Sequence, residues 1–290
     1  MNIECVVKSR SRTGEGAFWD TIDQVLWWVD IPAGLIHRFD PATGENSSFD
    51  WGEPVGCLAP RKDGGLLLAT RTGFHMFHPE TGKRQAIVDP EADKPGNRFN
   101  DGTTDPRGRL WAGTMKEGRP PAREGRFYRF DPDHRCTAWQ DGFYTTNGLA
   151  FSPDGKTMYF SDSNAEVQTI WACDYDVDEG VAANQRVFFD CREVTGRPDG
   201  GTVDADGCYW MAGVGGAQIV RITPQGRVDR IVDLPVERPS KPMFGGAGLD
   251  TLFVTTIGAG SEDDLTSLAG NLFAITGLGT KGVSQARFAG

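Results

Sequence analysis

Imidazole is scarce in this chain. The four histidines, His37, His75, His78 and His134, show no zinc-ligand spacing and read as structural or exposed. Six cysteines, Cys5, Cys57, Cys136, Cys173, Cys191 and Cys208, are widely spaced and form no Cys-x-x-Cys pair. A chain of 290 residues buries a large core without disulfides, so reduced thiols are expected. No apolar run reaches about 18 residues and none follows the opening Met1-Asn-Ile-Glu4, which predicts neither a membrane helix nor a signal peptide. There is no polybasic block, and 40 acidic against 30 basic side chains leave a net charge of −10. That balance speaks against nucleic acid and anionic membranes as partners and suits a soluble, cytoplasmic protein. No obligate protein partner is evident. No long segment carries a helical period of apolar residues, and no Ser-His-Asp arrangement is found.

What the chain has is glycine (38), proline (17) and many short β-rich runs. Six runs share one character: Leu26-Trp-Trp-Val-Asp30, Leu66-Leu-Leu-Ala-Thr70, Leu110-Trp-Ala-Gly-Thr114, Met158-Tyr-Phe-Ser-Asp162, Tyr209-Trp-Met-Ala-Gly213 and Leu252-Phe-Val-Thr-Thr256. They recur roughly every 40–50 residues, the spacing of propeller blades. Each is preceded by a small or apolar strand and a turn such as Asp105-Pro-Arg-Gly108 or Ser152-Pro-Asp-Gly155, where Gly accepts positive φ and Asp bonds back to the backbone. A third strand follows, as in Ile36-His-Arg-Phe39 or Phe127-Tyr-Arg-Phe130, and then an outer one, as in Ala86-Ile-Val88. The pattern predicts an all-β, six-bladed β-propeller with four antiparallel strands per blade, forming a single domain over residues 1–290. Trp27, Trp28, Trp111, Trp171 and Trp210 are expected to pack between blades. The N-terminal residues are expected to close the ring on the last blade, because an open edge is a liability. Longer inserts, Lys116–Arg126 in the third unit and Ile257–Gly270 in the sixth, are either functional lids or surface decoration.

Ten or eleven residues before the start of each run stand Glu15, Val55 or Gly56, Asn100, Asn147, Asp199, and Lys241 or Pro242. Equivalent positions of successive blades converge on one axis, so Glu15, Asn100, Asn147 and Asp199 are expected to meet at one mouth of the central channel. Taken singly, an Asp or Asn before Gly is a common turn residue; the shared phase is what points to a site. Two carboxylates crowded together repel unless a proton or a cation lies between them. An all-oxygen set suits Ca²⁺, Mg²⁺ or Mn²⁺, while Zn²⁺ and Fe²⁺ also occupy such sites, so the metal's identity stays open. Arg98, two residues before Asn100, falls on the same side of an extended segment, either facing a substrate oxygen or in a loop salt bridge. Asp101 is expected to point the other way and to be structural.

Several runs carry a resemblance: Thr13-Gly-Glu-Gly16, Arg98-Phe-Asn-Asp-Gly102, Gly113-Thr-Met115, Thr146-Asn-Gly-Leu149 with Phe151-Ser-Pro-Asp-Gly155, Arg197-Pro-Asp-Gly-Gly201, and the tail from Ile275-Thr-Gly-Leu-Gly279 to Phe288-Ala-Gly290. Together they resemble the gluconolactonase/regucalcin (senescence marker protein) family over essentially the whole chain. The resemblance implies a six-bladed propeller with one divalent metal held by Glu15, Asn147 and Asp199, and Arg98 and Asn100 on the substrate. It implies hydrolysis of a sugar lactone to the aldonic acid, the cation polarising the carbonyl or activating water, with Asp199 the candidate general base. Some relatives carry a sugar-contacting acidic residue just after Gly-Thr-Met. Here the run is Met115-Lys-Glu-Gly118, so Glu117 is the candidate, and the shift leaves the sugar undefined. A metal-dependent esterase or phosphotriesterase on the same scaffold, and a calcium-binding regulator without turnover, are the alternatives.

Overall fold

β-Branched and aromatic runs bounded by Asp, Pro and Gly form short strands. The computed structural model describes residues 1–259 and 267–290. Its strands assemble into six four-stranded antiparallel sheets, arranged as a six-bladed β-propeller. The innermost strands are Gly14–Asp20, Val55–Pro60, Asn97–Thr104, Thr146–Phe151, Arg197–Val203 and Pro239–Gly245. Each packs beside the innermost strand of the next blade, and the sixth returns to the first. Burial falls from axis to rim. Gly14–Asp20 is buried throughout, whereas the outer strand of the same blade, Glu45–Asp50, is almost wholly exposed and carries Glu, Asn and Ser.

The ring closes as expected. Asn2–Val7 pairs antiparallel with Leu272–Thr276, with Cys5 opposite Phe273, and becomes the outer strand of blade 6. The backbone of that last strand is thereby hydrogen-bonded rather than left as an open edge. Aromatic rings bridge the blades: Trp19 stacks on Phe253 at 5.7 Å, Trp210 meets Phe244 edge-on at 5.6 Å, and Trp111 Nε1 donates to Tyr175 Oη at 3.0 Å. Trp28 packs in the cluster shared by blades 1 and 6 and also stacks on His37 of its own blade. All six cysteines are unpaired. Among the described residues no helix is long and apolar enough to cross a membrane.

The innermost strands share an irregularity that sets up the site. In every blade the pairing between the first and second strands slips by one residue near the start of the inner strand. In five blades two residues face one: Gly16 and Ala17, Asn100 and Asp101, Gly148 and Leu149, Asp199 and Gly200, Ser240 and Lys241. In blade 2 Gly56 alone is extra. Such bulges re-aim side chains that a regular strand would alternate between its two faces. Gly16 and Gly148 occupy equivalent bulge positions with φ of 60° and 70°, a left-handed conformation that suits glycine.

The C-terminal tail crosses the opposite face, at the far ends of the inner strands. Arg287 Nη2 donates to Asp20 Oδ2 at 2.7 Å, Gln285 Nε2 donates to Thr103 Oγ1 at 2.7 Å, and Phe288 is fully buried among blades 1 to 3. The third-blade insert is shorter than expected, since the flanking strands run through Lys116 and resume at Gly125. The sixth-blade insert lies partly outside the described residues.

Candidate active site at the channel mouth

The bulges explain why the sequence spacing is ten or eleven residues rather than one value. Glu15 and Asn147 are the last paired residues before their bulges; Asn100 and Asp199 are the first residues within theirs. All four are buried. A continuous hydrogen-bonded chain links three blades. Asn147 Nδ2 donates to Asp199 Oδ1 at 2.8 Å, and Asn100 Nδ2 donates to Asn147 Oδ1 at 3.1 Å and to the Thr146 carbonyl at 2.9 Å. Arg98 Nη1 donates to Asn100 Oδ1 and to the Phe99 carbonyl, both at 2.8 Å. Arg98 Nε donates to Glu117 Oε1 at 2.8 Å, and the other oxygen of Glu117 takes Arg71 Nη2. Glu117 thus lies beside Arg98 at the rim, with both oxygens bound by guanidinium groups. Glu15 joins the group through charge: its described hydrogen bond is from Gly16 N, 3.0 Å from Oε2.

The electrostatics follow from burial. Desolvation first, then the negative charges of Asp199 and Asp101, hold the Glu15 carboxyl well above the usual carboxylate range. Burial and then Asp101 push Asp199 up to about 7, against the pull of Arg197, Lys241 and the Asn147 amide.

Three residues of the site carry no functional role in the sequence reading. Lys241, fully buried on blade 6, donates to both oxygens of Asp101 on blade 3, at 2.8 and 3.1 Å. Asp101 also accepts Leu149 N at 3.1 Å, so it is structural as expected, but at the axis and between blades. Ser163 Oγ accepts Asn147 Nδ2 at 2.6 Å and donates to the Pro198 carbonyl, which fixes the amide. The repeat phase flags Lys241; no local pattern marks Ser163, which lies after the second strand of its blade.

Among the described residues no group of three or more His, Cys, Asp or Glu side chains is arranged to hold a metal ion. The candidate donors here are two carboxylates and amide oxygens, a different kind of set. Their chemistry fits a hard divalent cation: oxygen only, and two buried acids whose shared repulsion a cation relieves. The Asn147 amide turns its oxygen to Asn100 in this structure, and half a revolution about its terminal bond exchanges oxygen for nitrogen.

Residues 13–258 match the family model described as "SMP-30/Gluconolactonase/LRE-like region". The chain belongs to this family. A 6-deoxy-6-sulfogluconolactonase of Pseudomonas putida is 37% identical to it over 293 residues, 99% of each chain. A regucalcin of Xenopus laevis is 35% identical over 298 residues, covering all of this chain and 99% of the relative. The solved structure of a calcium-binding protein, regucalcin, from Agrobacterium tumefaciens superimposes with a TM-score of 0.91 at 27% identity, covering 98% of this chain and 96% of that one. Within the SMP-30/gluconolactonase/LRE-like match lie all of the site residues above, from Glu15 to Lys241.

Proposed function

We propose that this chain is a divalent-metal-dependent hydrolase that opens a sugar lactone to its aldonic acid. The observation that carries the reading is the meeting of two buried, mutually repelling carboxylates, Glu15 and Asp199, with the Asn147 amide at one channel mouth. Family relatives named for gluconolactone hydrolysis support the substrate class. Glu15, Asn147 and Asp199 would hold the cation, which when bound supplies Lewis-acid polarisation of the carbonyl.

Asp199 Oδ1 is held by the Asn147 amide, and no described hydrogen bond engages Oδ2. Oδ2 is the atom proposed to take a proton from the attacking water as its oxygen bonds to the carbonyl carbon. When the ring C–O bond breaks, the same proton passes to the departing ring oxygen, leaving a hydroxy acid. A lactone is already an activated ester, so no covalent nucleophile is required. Arg98 Nη2 has no partner among the described residues and is proposed to orient substrate oxygens, with Asn100 fixing Arg98 from behind.

The test is acid release from a panel of aldonolactones, before and after chelation and after restoring Ca²⁺, Mn²⁺, Mg²⁺ or Zn²⁺. Turnover well above spontaneous hydrolysis, lost on chelation and regained with metal, is expected. Traces that stay at the spontaneous rate after reconstitution would support the second reading, a calcium-binding protein without turnover. The likeness to the calcium-binding regucalcin of Agrobacterium tumefaciens is what favours that alternative.

A further inference from the structure

Where blades 2 and 3 meet at the mouth, two guanidinium groups face one carboxylate among the described residues, in a chain whose net charge is −10. Arg71 and Arg98 share a single carboxylate, that of Glu117. Arg71 is 42% exposed, and its Nε and Nη1 have no partner among the described residues. Arg98 Nη2 is open in the same way. A second acid on blade 2, Glu53, is taken by the hydroxyls of Thr70 and Thr72, at 2.8 and 2.6 Å, rather than by Arg71. Arg197 stands two residues before Asp199 as Arg98 does before Asn100; it is exposed and makes no salt bridge among the described residues. Its charge still reaches Asp199, so it too belongs to the mouth.

A structural salt bridge needs one guanidinium, not two. Holding like charges together opposes folding unless something negative is gained, and the planar fork of arginine matches an oxyanion better than it matches water. We propose that Arg71, held beside Arg98 by Glu117, is a specificity-determining residue that binds an anionic substituent, a carboxylate, sulfonate or phosphate, at the end of the substrate away from the lactone carbonyl. This rests on the lactonase reading for the identity of the substrate, but not for the existence of the anion subsite. Arg197 adds attraction across the mouth without being required for the contact.

The test has two readouts. In the first, calorimetry compares binding of gluconate with that of 6-phosphogluconate, 6-deoxy-6-sulfogluconate and glucarate, each at about 50 and about 300 mM salt, concentrations chosen to span weak and strong screening. The wild type is expected to bind at least one doubly anionic acid about tenfold to a hundredfold more tightly than gluconate, the factor that one charge-assisted contact supplies. Arg71→Gln is expected to bring that ratio close to one, and Arg71→Lys to restore part of it. Which anion gains most identifies the substituent. In the second, kcat/KM for the corresponding lactones follows the same ratios, with the change in KM. Equal binding of gluconate and the doubly anionic acids, or a ratio untouched by Arg71→Gln, overturns the proposal even if lactones are hydrolysed. A ratio that collapses as expected while no lactone is turned over keeps the anion subsite and removes the lactonase.

Discussion

Under the proposed function Asp199 both holds a cation and accepts a proton, and burial raises its affinity for the proton. Its ordinary value is 3.8 and the folded protein holds it at about 7. Between those values the metal-free native state keeps a proton that the unfolded chain has released, so stability falls as pH rises through this window and levels off above about 7. Melting temperatures of chelated protein from about pH 4 to about pH 8 are expected to show this decline, and Asp199→Asn is expected to remove part of it and to melt higher than wild type at the alkaline end. Parallel profiles for the two proteins would contradict the assignment. In the activity assay, Glu15→Gln and Asp199→Asn are each expected to lower kcat by about 10²–10⁴ while the fold survives. Wild-type rates in both variants would refute their roles. These two residues, with Asn100 and Asn147, are legible in the sequence because a repeat reports equivalence between distant positions. Glu117 is only half legible: its place after Gly-Thr-Met marks it as a candidate sugar contact, but its partner Arg71 lies in another blade, and no spacing rule connects them.

At the scale of the strand, the working device is the bulge. It puts two consecutive side chains at the axis where a regular strand would show one, and so makes room for both a donor layer and the Lys241–Asp101 pair. The strands and turns are readable from alternation and Asp-Pro-Gly punctuation, but a bulge leaves no mark in composition, and that is why the phase is ambiguous by one residue. The ion pair joining blade 3 to blade 6 is invisible in the sequence for the same reason that it matters, since it connects residues 140 apart across the ring. Removing one partner of a buried pair leaves the other charge without compensation. Lys241→Met is therefore expected to cost about 3–5 kcal/mol in urea unfolding, and the double variant Lys241→Met/Asp101→Asn to regain most of that loss. Additive losses would show that the two side chains do not act as a pair.

For the whole molecule, closure does what no single blade can. Each sheet buries both faces only against its neighbours, and the ring is completed by Asn2–Val7 on one blade and braced by the tail on the far face. Removing residues 1–7 exposes the backbone of Leu272–Thr276, and the truncated protein is expected to melt lower and to associate in sedimentation. Melting and mass equal to those of the full chain would mean that the sixth blade is held by other contacts. Phe288→Ala is expected to cost about 3–5 kcal/mol by emptying a fully buried site between blades, as measured by denaturant unfolding. On the proposed reading, this architecture brings Glu15, Asn147 and Asp199 from three blades to one cation. Anomalous scattering from Mn²⁺-soaked crystals tests that directly. A single strong peak bounded by those three side chains is the expected result, and crystals with no peak there, or with manganese bound only elsewhere, would contradict it.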